Sequence, residues 1–441
     1  MGLKDWNHYG IIGRAVMNQE VKTKGEMMLE KAEKIGSFWA LKEEPLSQDK
    51  QLLLFDNVQF IYELALAQLE LKSLGIRFEV TNGLREFKLL KELEDIETLK
   101  RKLAYFKMIK GEYTDYFYIV RKNRTRSVNQ YLTHWIYPYK GKFHPQMIRA
   151  LLNIIGLNKG DTVLDPFIGS GTTAVEAQLL GINCVGIDIS PLCILQSRVK
   201  TESIKVLPEI LERKDEILSK LDDKALDKAI ENITNEKVKN FYLMAKLVAV
   251  SDNARRKKDF AKAFRKKLDL MIASVKDYID IVKELNLRLG DVNIKVGDSR
   301  NLPLGDNSID GIITSPPYSI ALDYVSNDAH ALKTLGYDLK ELREEFIGVR
   351  GKGQRRIDLY NEDMKKSLEE MYRVLKPDKY AVIVIGNATY QGKEVKTVEF
   401  IIDYAQKIGF RLRKNINKII FGLYNVMQKE NILIFKKEVE T

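Results

Sequence analysis

The sequence predicts an α/β fold built on a parallel sheet, and three observations predict it. Residues 161–191, DTVLDPFIGSGTTAVEAQLLGINCVGIDISP, read as strand, glycine turn, helix and second strand, a βαβ unit. Two further apolar runs, Val292–Val296 and Ile309–Thr314, have buried-strand length and end in turn residues. Strand-like runs at 380–385, 411–420 and 431–436 follow, with helical patterns at 361–375 and 395–408 between them.

Within the βαβ unit each element has a local cause. Thr162-Val163-Leu164 is apolar, and Asp165-Pro166-Phe167 stops it. Gly169-Ser170-Gly171 lets a ligand approach bare backbone. Thr172 and Thr173 open a helix over 172–180, and Gly181 ends it. Cys184-Val185-Gly186-Ile187 is the second strand, with Asp188 at its carboxyl end, where ligands bind in such sheets.

The turn is no P-loop, because Thr172-Thr173 follows Gly171 where a phosphate-binding lysine is needed. A dinucleotide reading stays open, since Ala174 is tolerated at the third glycine position. Asp165 argues against it, because a carboxylate there repels a pyrophosphate and attracts a cation. A small ligand with an adenosine, a ribose and a cationic amino-acid end is S-adenosylmethionine.

At 441 residues the chain has room for two or three domains. Its net charge of +11 suits a polyanionic partner, and its Lys/Glu-rich surface also suits a heat-adapted source. Only two cysteines occur, Cys184 and Cys193, which predicts a reducing, cytoplasmic setting without disulfides. The four histidines are scattered, so no metal is expected. No apolar run is long enough to span a bilayer, and the N-terminus lacks a signal-peptide core.

Asp165-Pro166-Phe167-x-Gly169-Ser170-Gly171-Thr172-Thr173 resembles the cofactor motif of the amino-methyltransferases that modify cytosine or adenine in nucleic acid. Thr314-Ser315-Pro316-Pro317-Tyr318 resembles their catalytic motif. The resemblance covers roughly residues 130–200 and 290–441. It implies a Rossmann-like seven-stranded methyltransferase sheet closed by an antiparallel pair. It also implies that Asp165, Phe167, Gly169, Ser170, Gly171, Thr172, Thr173 and Asp188 hold S-adenosylmethionine. Asp298 then accepts from the adenine amine, and Phe143 closes over the methionine end.

The chemistry is assigned to Ser315, Pro316, Pro317 and Tyr318. An exocyclic amine is a poor nucleophile because its lone pair is delocalised into the ring. The Ser315 hydroxyl and the Pro316 carbonyl would hold its hydrogens, and two prolines keep that backbone rigid. Tyr318 can stack on an extruded base. Serine in first place resembles the cytosine-directed members, and no cysteine stands in a motif for methylation at ring carbon. The motif order and charge make the chain similar to archaeal enzymes that methylate a cytidine amine in ribosomal RNA. The resemblance therefore implies N4 methylation, once or twice, of cytosine in RNA. DNA N4-cytosine or N6-adenine methylation is the alternative, and a non-catalytic RNA-binding protein on the same fold is the other.

Residues 1–125 are expected to form an auxiliary domain for substrate recognition, ahead of a methyltransferase domain at 126–441. In it, 51–74 reads as an amphipathic helix, 76–80 as a strand and 84–108 as one or two charged helices. Residues 200–289 hold almost no Gly or Pro and read as a helical insertion. Two basic clusters are candidate nucleic-acid contacts. One is Arg255, Arg256 and Lys257 in the insertion. The other is Arg350, Lys352, Arg355 and Arg356 in a glycine-rich loop beside the catalytic motif. Asp323 and Tyr324 are further candidates for contact with the target base.

Overall fold

In this computed structural model the described residues are 52–81, 83–256, 259–320, 323–421 and 427–438, all within one unit, 45–441. The chain opens on an antiparallel sheet, β1 (Leu52–Leu54), β2 (Phe78–Thr81), β3 (Glu86–Leu89), β4 (Phe106–Ile109) and β5 (Glu112–Tyr113). Its five strands run in the order β2-β3-β1-β4-β5. The helix expected over 51–74 is therefore strand β1 followed by the helix Ile61–Ser73. The Leu52-Leu53-Leu54 run is short enough to pair on both sides, with β3 and with β4. The helices expected over 84–108 are β3, the helix Ile96–Lys102 and β4. In β3 the sequence Glu-Phe-Lys-Leu buries Phe87 and Leu89 alternately, a period of two hidden among charges.

The main sheet contains β6 (Thr162–Asp165), β7 (Asn183–Asp188), β8 (Val292–Val296), β9 (Ile309–Thr314) and β10 (Leu375–Ile385). A small hairpin, β11 (Ala388–Tyr390) and β12 (Lys393–Val395), follows β10. The sheet is completed by β13 (Phe410–Phe421) and β14 (Met427–Lys437). Its order is β13-β14-β10-β9-β6-β7-β8, seven strands, with β14 antiparallel to both its neighbours and the others parallel. This is the Rossmann-like methyltransferase sheet that the motifs imply. The chain leaves β6 towards β7 on one side and returns at β9 on the other. A crevice opens at such a switch point, outside the carboxyl ends of β6 and β9.

Residues 200–289 are helical, as expected, with Leu207–Leu218, Asp223–Glu231, Glu236–Arg256 and Phe260–Glu284. These helices bury Phe241, Tyr242, Phe264 and Met271 in one cluster with Trp135, Ile136 and Tyr137. The side chains of Arg255, Arg256 and Lys257 lie outside the described residues. No helix among the described residues is long and apolar enough to cross a membrane.

Glu70, on the helix Ile61–Ser73, ties the segment before β4 to the helix Pro145–Ile154 that leads into β6. Fully buried, it accepts from Ala104 N (2.8 Å), Tyr105 N (3.2 Å) and Asn153 Nδ2 (2.8 Å). Burial pushes its carboxyl up to about 7, despite the bonds from Asn153, Ala104 and Tyr105. An acid raised in the folded state stabilises the fold below its unfolded value and loses that stabilisation as pH rises through the folded one. The unfolding free energy of the wild type, taken relative to Glu70→Gln, should therefore fall by roughly 3 kcal/mol between about pH 4.5 and 7. Urea unfolding of both proteins across that range checks it, and parallel pH profiles would contradict it.

Candidate active site

Two strand tips meet here, and a carboxylate joins them. Asp165 ends β6 and Thr314 ends β9. The Thr314 hydroxyl donates to Asp165 Oδ1 at 2.7 Å, and the Thr173 hydroxyl donates to Oδ2 at 2.7 Å. Phe167 N adds a third bond at 3.2 Å. Burial lifts the Asp165 carboxyl to about 6, with the hydroxyl bonds pulling the other way. Asp165 is buried and lines neither cavity of the site. Both of its oxygens accept from threonine hydroxyls, one on either side, so the carboxylate staples the two tips together.

The glycine turn has the geometry that its sequence suggests. Gly169 and Gly171 have φ of +48° and +77°, and a Cβ at Gly171 would lie 2.7 Å from Ser197 Oγ. Carbonyls of the turn are held from the helix Pro191–Glu202. Gln196 Nε2 donates to Gly169 O at 2.9 Å, and Lys200 Nζ donates to Ser170 O at 2.6 Å. Ser170 Oγ lies 3.0 Å from Thr172 Oγ1, and Thr172 and Thr173 begin the helix Thr172–Leu179. Asp188, at the tip of β7, accepts from Gly169 N at 2.9 Å and Ser190 N at 2.8 Å. Burial raises its carboxyl to about 6.

Two cavities open around these tips. The smaller is lined by Pro166, Asp188, Gly297, Asp298, Pro317 and Phe346, among others. The larger, about 680 Å³, is lined by Phe143, Gly169, Ser170, Tyr318, Asn387, Lys418 and Glu430, among others. Tyr139, Phe167, Ser315 and Tyr324 line both, so the first residue of the SPPY run stands where the cavities adjoin. Bare glycine backbone, two strand-tip carboxylates and aromatic walls fit a ligand with an adenosine and an amino-acid end.

Asp298 follows β8 and accepts from Arg300 N and Nε at 2.9 Å. Burial would raise its carboxyl, but the Arg300 bonds outweigh that and hold it below the usual range. Arg300 Nη1 also reaches Asp363 Oδ1 at 2.9 Å, and Arg350 Nη2 reaches the same carboxylate at 2.6 Å. Arg350, read from sequence as a nucleic-acid contact, thus pairs with Asp363 in the fold. Arg356 Nε likewise donates to Gly348 O at 2.6 Å. The helix Gln354–Val374 begins inside the stretch read as a loop, while Lys352 and Arg355 are exposed. Asp323 caps the helix Tyr324–Asn327 and pairs with Arg343, so its oxygens serve the fold too.

Lys142, Asn387, Lys418 and Glu430 are among the lining residues to which the sequence alone assigns no role. Lys142 donates to the His134 and Asn129 carbonyls, and burial lowers its ammonium to about 7. Lys418 and Glu430 face each other across the β13–β14 pair, which opposite charges in the two last strands could have signalled.

The staple is open to a direct check. Thr314→Val keeps the shape and leaves one Asp165 oxygen without its hydroxyl donor. It should cost about 1–3 kcal/mol in urea unfolding and weaken S-adenosylmethionine binding in calorimetry. Wild-type values for both would refute the role.

The family N6_N4_Mtase, described as DNA methylase, matches residues 16–197 and 309–440. Over 363 residues the chain is 26% identical to the Type II methyltransferase M.BsoBI of Geobacillus stearothermophilus, covering 68% of this chain and 64% of that protein. Over 120 residues it is 42% identical to the Type II methyltransferase M.MjaII of Methanocaldococcus jannaschii, covering 25% and 22%. Over 51 residues it is 43% identical to a tRNA (guanine(10)-N2)-dimethyltransferase of Methanothermobacter thermautotrophicus, covering 12% and 15%. The chain thus spans less than two thirds of the length of these relatives. With more than half of its residues matched, and both strand-tip motifs inside the matched segments, the protein belongs to the DNA methylase family of S-adenosylmethionine-dependent amino-methyltransferases.

Proposed function

We propose that the protein methylates the exocyclic N4 amine of cytosine in DNA. The observation that carries this reading is Ser315, at the junction of the two cavities and directly after the stapled tip of β9. S-adenosylmethionine, when bound, supplies a methyl group on a sulfonium. The smaller cavity takes its adenosine, with Asp188 and Asp298 as acceptors for ribose and adenine. Gly169, Ser170 and Phe143 take its amino-acid end, on the side of the larger cavity. That larger cavity also has room for an extruded base.

Ser315 Oγ and the Pro316 carbonyl hold the two amine hydrogens, which favours a pyramidal nitrogen whose lone pair can attack. Pro316 and Pro317 fix that backbone before the base arrives, so alignment costs little at the moment of transfer. The Tyr318 ring forms a wall on which the base stacks. Lys352 and Arg355, both exposed, remain candidates for phosphate contact, as does the cluster at 255–257.

DNA is placed first because the matched family is described as DNA methylase and the longest match quoted is to a Type II methyltransferase. The RNA cytidine that the motif order implies, ribosomal RNA included, is the second reading. The match with a tRNA dimethyltransferase favours it, over a short span.

Labelled S-adenosylmethionine, unmethylated genomic DNA and total RNA, followed by nucleoside mass spectrometry, separate the readings. N4-methyldeoxycytidine is the expected product. N4-methylcytidine or its dimethyl form would move the target to RNA, and label in neither nucleic acid would end the proposal. Ser315→Ala should lower kcat about 100-fold while leaving cofactor affinity unchanged. Full turnover by that variant would remove Ser315 from the chemistry.

A further inference from the structure

The larger cavity holds a charge pair that no motif of the sequence explains. Lys418 on β13 and Glu430 on β14 are directly opposed in the pairing register. Both are largely withdrawn from solvent, with side chains 11% and 17% exposed. Lys418 Nζ bonds Glu430 Oε2, and the other oxygen, Oε1, accepts from the Tyr318 hydroxyl. Burial would lift the Glu430 carboxyl, but the Lys418 charge outweighs it and keeps it below the usual range. All three residues line the cavity that Ser315 opens on.

The other end of Tyr318 is also confined. A Cβ at Gly348 would lie 2.8 Å from the Tyr318 carbonyl oxygen, so that backbone is closely packed. A short surface ion pair would add little by itself, and a buried pair costs desolvation. Here the pair presents a fixed acceptor to one hydroxyl, 112 residues earlier in the chain.

We propose that Glu430 and Lys418, from the closing antiparallel pair of the sheet, are positioning residues that lock the Tyr318 ring as one wall of the target-base pocket. This rests on the proposed function, since the pocket is a base pocket only in that reading. The ring's hydroxyl accounts for the tyrosine: a phenylalanine stacks equally well and could not be tethered. Lys418 holds Glu430 ionised and in place, so the tether is a charge-assisted bond. Truncating Glu430 alone would strand a buried ammonium, so the decisive variant removes both charges together.

The test compares Tyr318→Phe, Lys418→Met/Glu430→Leu, their combination, and Glu430→Gln. Methyl transfer to unmethylated genomic DNA and to total RNA gives kcat and KM. The first two should each lower kcat by between about 10- and 100-fold, with the KM for S-adenosylmethionine unchanged. The combination should lose no more than either, because both remove one tether. Glu430→Gln, whose amide offers one acceptor oxygen to the two donors that the carboxylate serves, should fall between the wild type and the charge-free double variant. Additive losses, or a charge-free double variant that turns over like the wild type, would overturn the inference.

A second arm does not depend on turnover. Nitration of Tyr318 by tetranitromethane, read by peptide mass spectrometry, should be slow in the wild type, fast in Lys418→Met/Glu430→Leu and intermediate in Glu430→Gln. Equal rates in all three would overturn the tether. Absence of transfer by the wild type to either nucleic acid would overturn the proposed function alone, and the nitration rates would still decide the tether.

Discussion

The carboxylate of Asp165 is the constraint on which the site depends. The loop that carries the glycine turn and the loop that carries SPPY leave different strands, 149 residues apart in sequence. Backbone pairing of β6 with β9 sets their register, through Val163 with Gly311 and Leu164 with Ile312. That pairing stops short of both tips. Asp165 extends it with side chains, taking one hydroxyl from Thr314 and one from Thr173. A methyl donor and an acceptor amine must meet within a fraction of an ångström, so a floating tip would cost far more rate than stability.

The same device, a buried acceptor shared between distant segments, recurs behind the site. Glu176 lies on the helix that follows the glycine turn. It accepts from Tyr131 and stands 2.8 Å from His134 Nε2, with Arg149 at 3.5 Å. Burial drops the His134 imidazole to about 4, so at neutral pH this is a hydrogen bond to neutral histidine rather than an ion pair. The network fastens the start of the segment that delivers Tyr139 and Phe143 to the cavities. Lys200 works from the opposite side, on the carbonyl of Ser170. Buried polar groups are expensive unless satisfied. Their concentration beneath one turn fits a site that has to stay in place while ligands come and go.

What the sequence makes legible follows the range of the interactions involved. The glycine turn, the proline pair and the parallel strands are local, since each is written in consecutive residues whose backbone leaves few choices. The seven-stranded sheet is what the two motifs imply through the family they resemble. The charged stretches hide their structure. β3 is a strand because its Phe87 and Leu89 find a core, and nothing within four residues of Glu-Phe-Lys-Leu separates that from a helix turn. Arg350 reads as a free cation in a flexible loop until Asp363, thirteen residues on, is seen to take it. The staple at Asp165 is hidden for the same reason, because Thr314 is far away in sequence. Formal charge shows what a residue could attract, and the fold decides which partner reaches it first.

The closing pair of strands shows how far that principle extends. In the sheet order β14 lies between β13 and β10, which places it one strand beyond the neighbour of β9. A side chain near the start of β14 can therefore reach across to the loop after β9, and Glu430 does. An antiparallel addition runs in the opposite direction and brings strand interior, rigid and side-chain bearing, to the level of the tips. The β13–β14 pair thus walls one side of the larger cavity, through Lys418, Lys429 and Glu430.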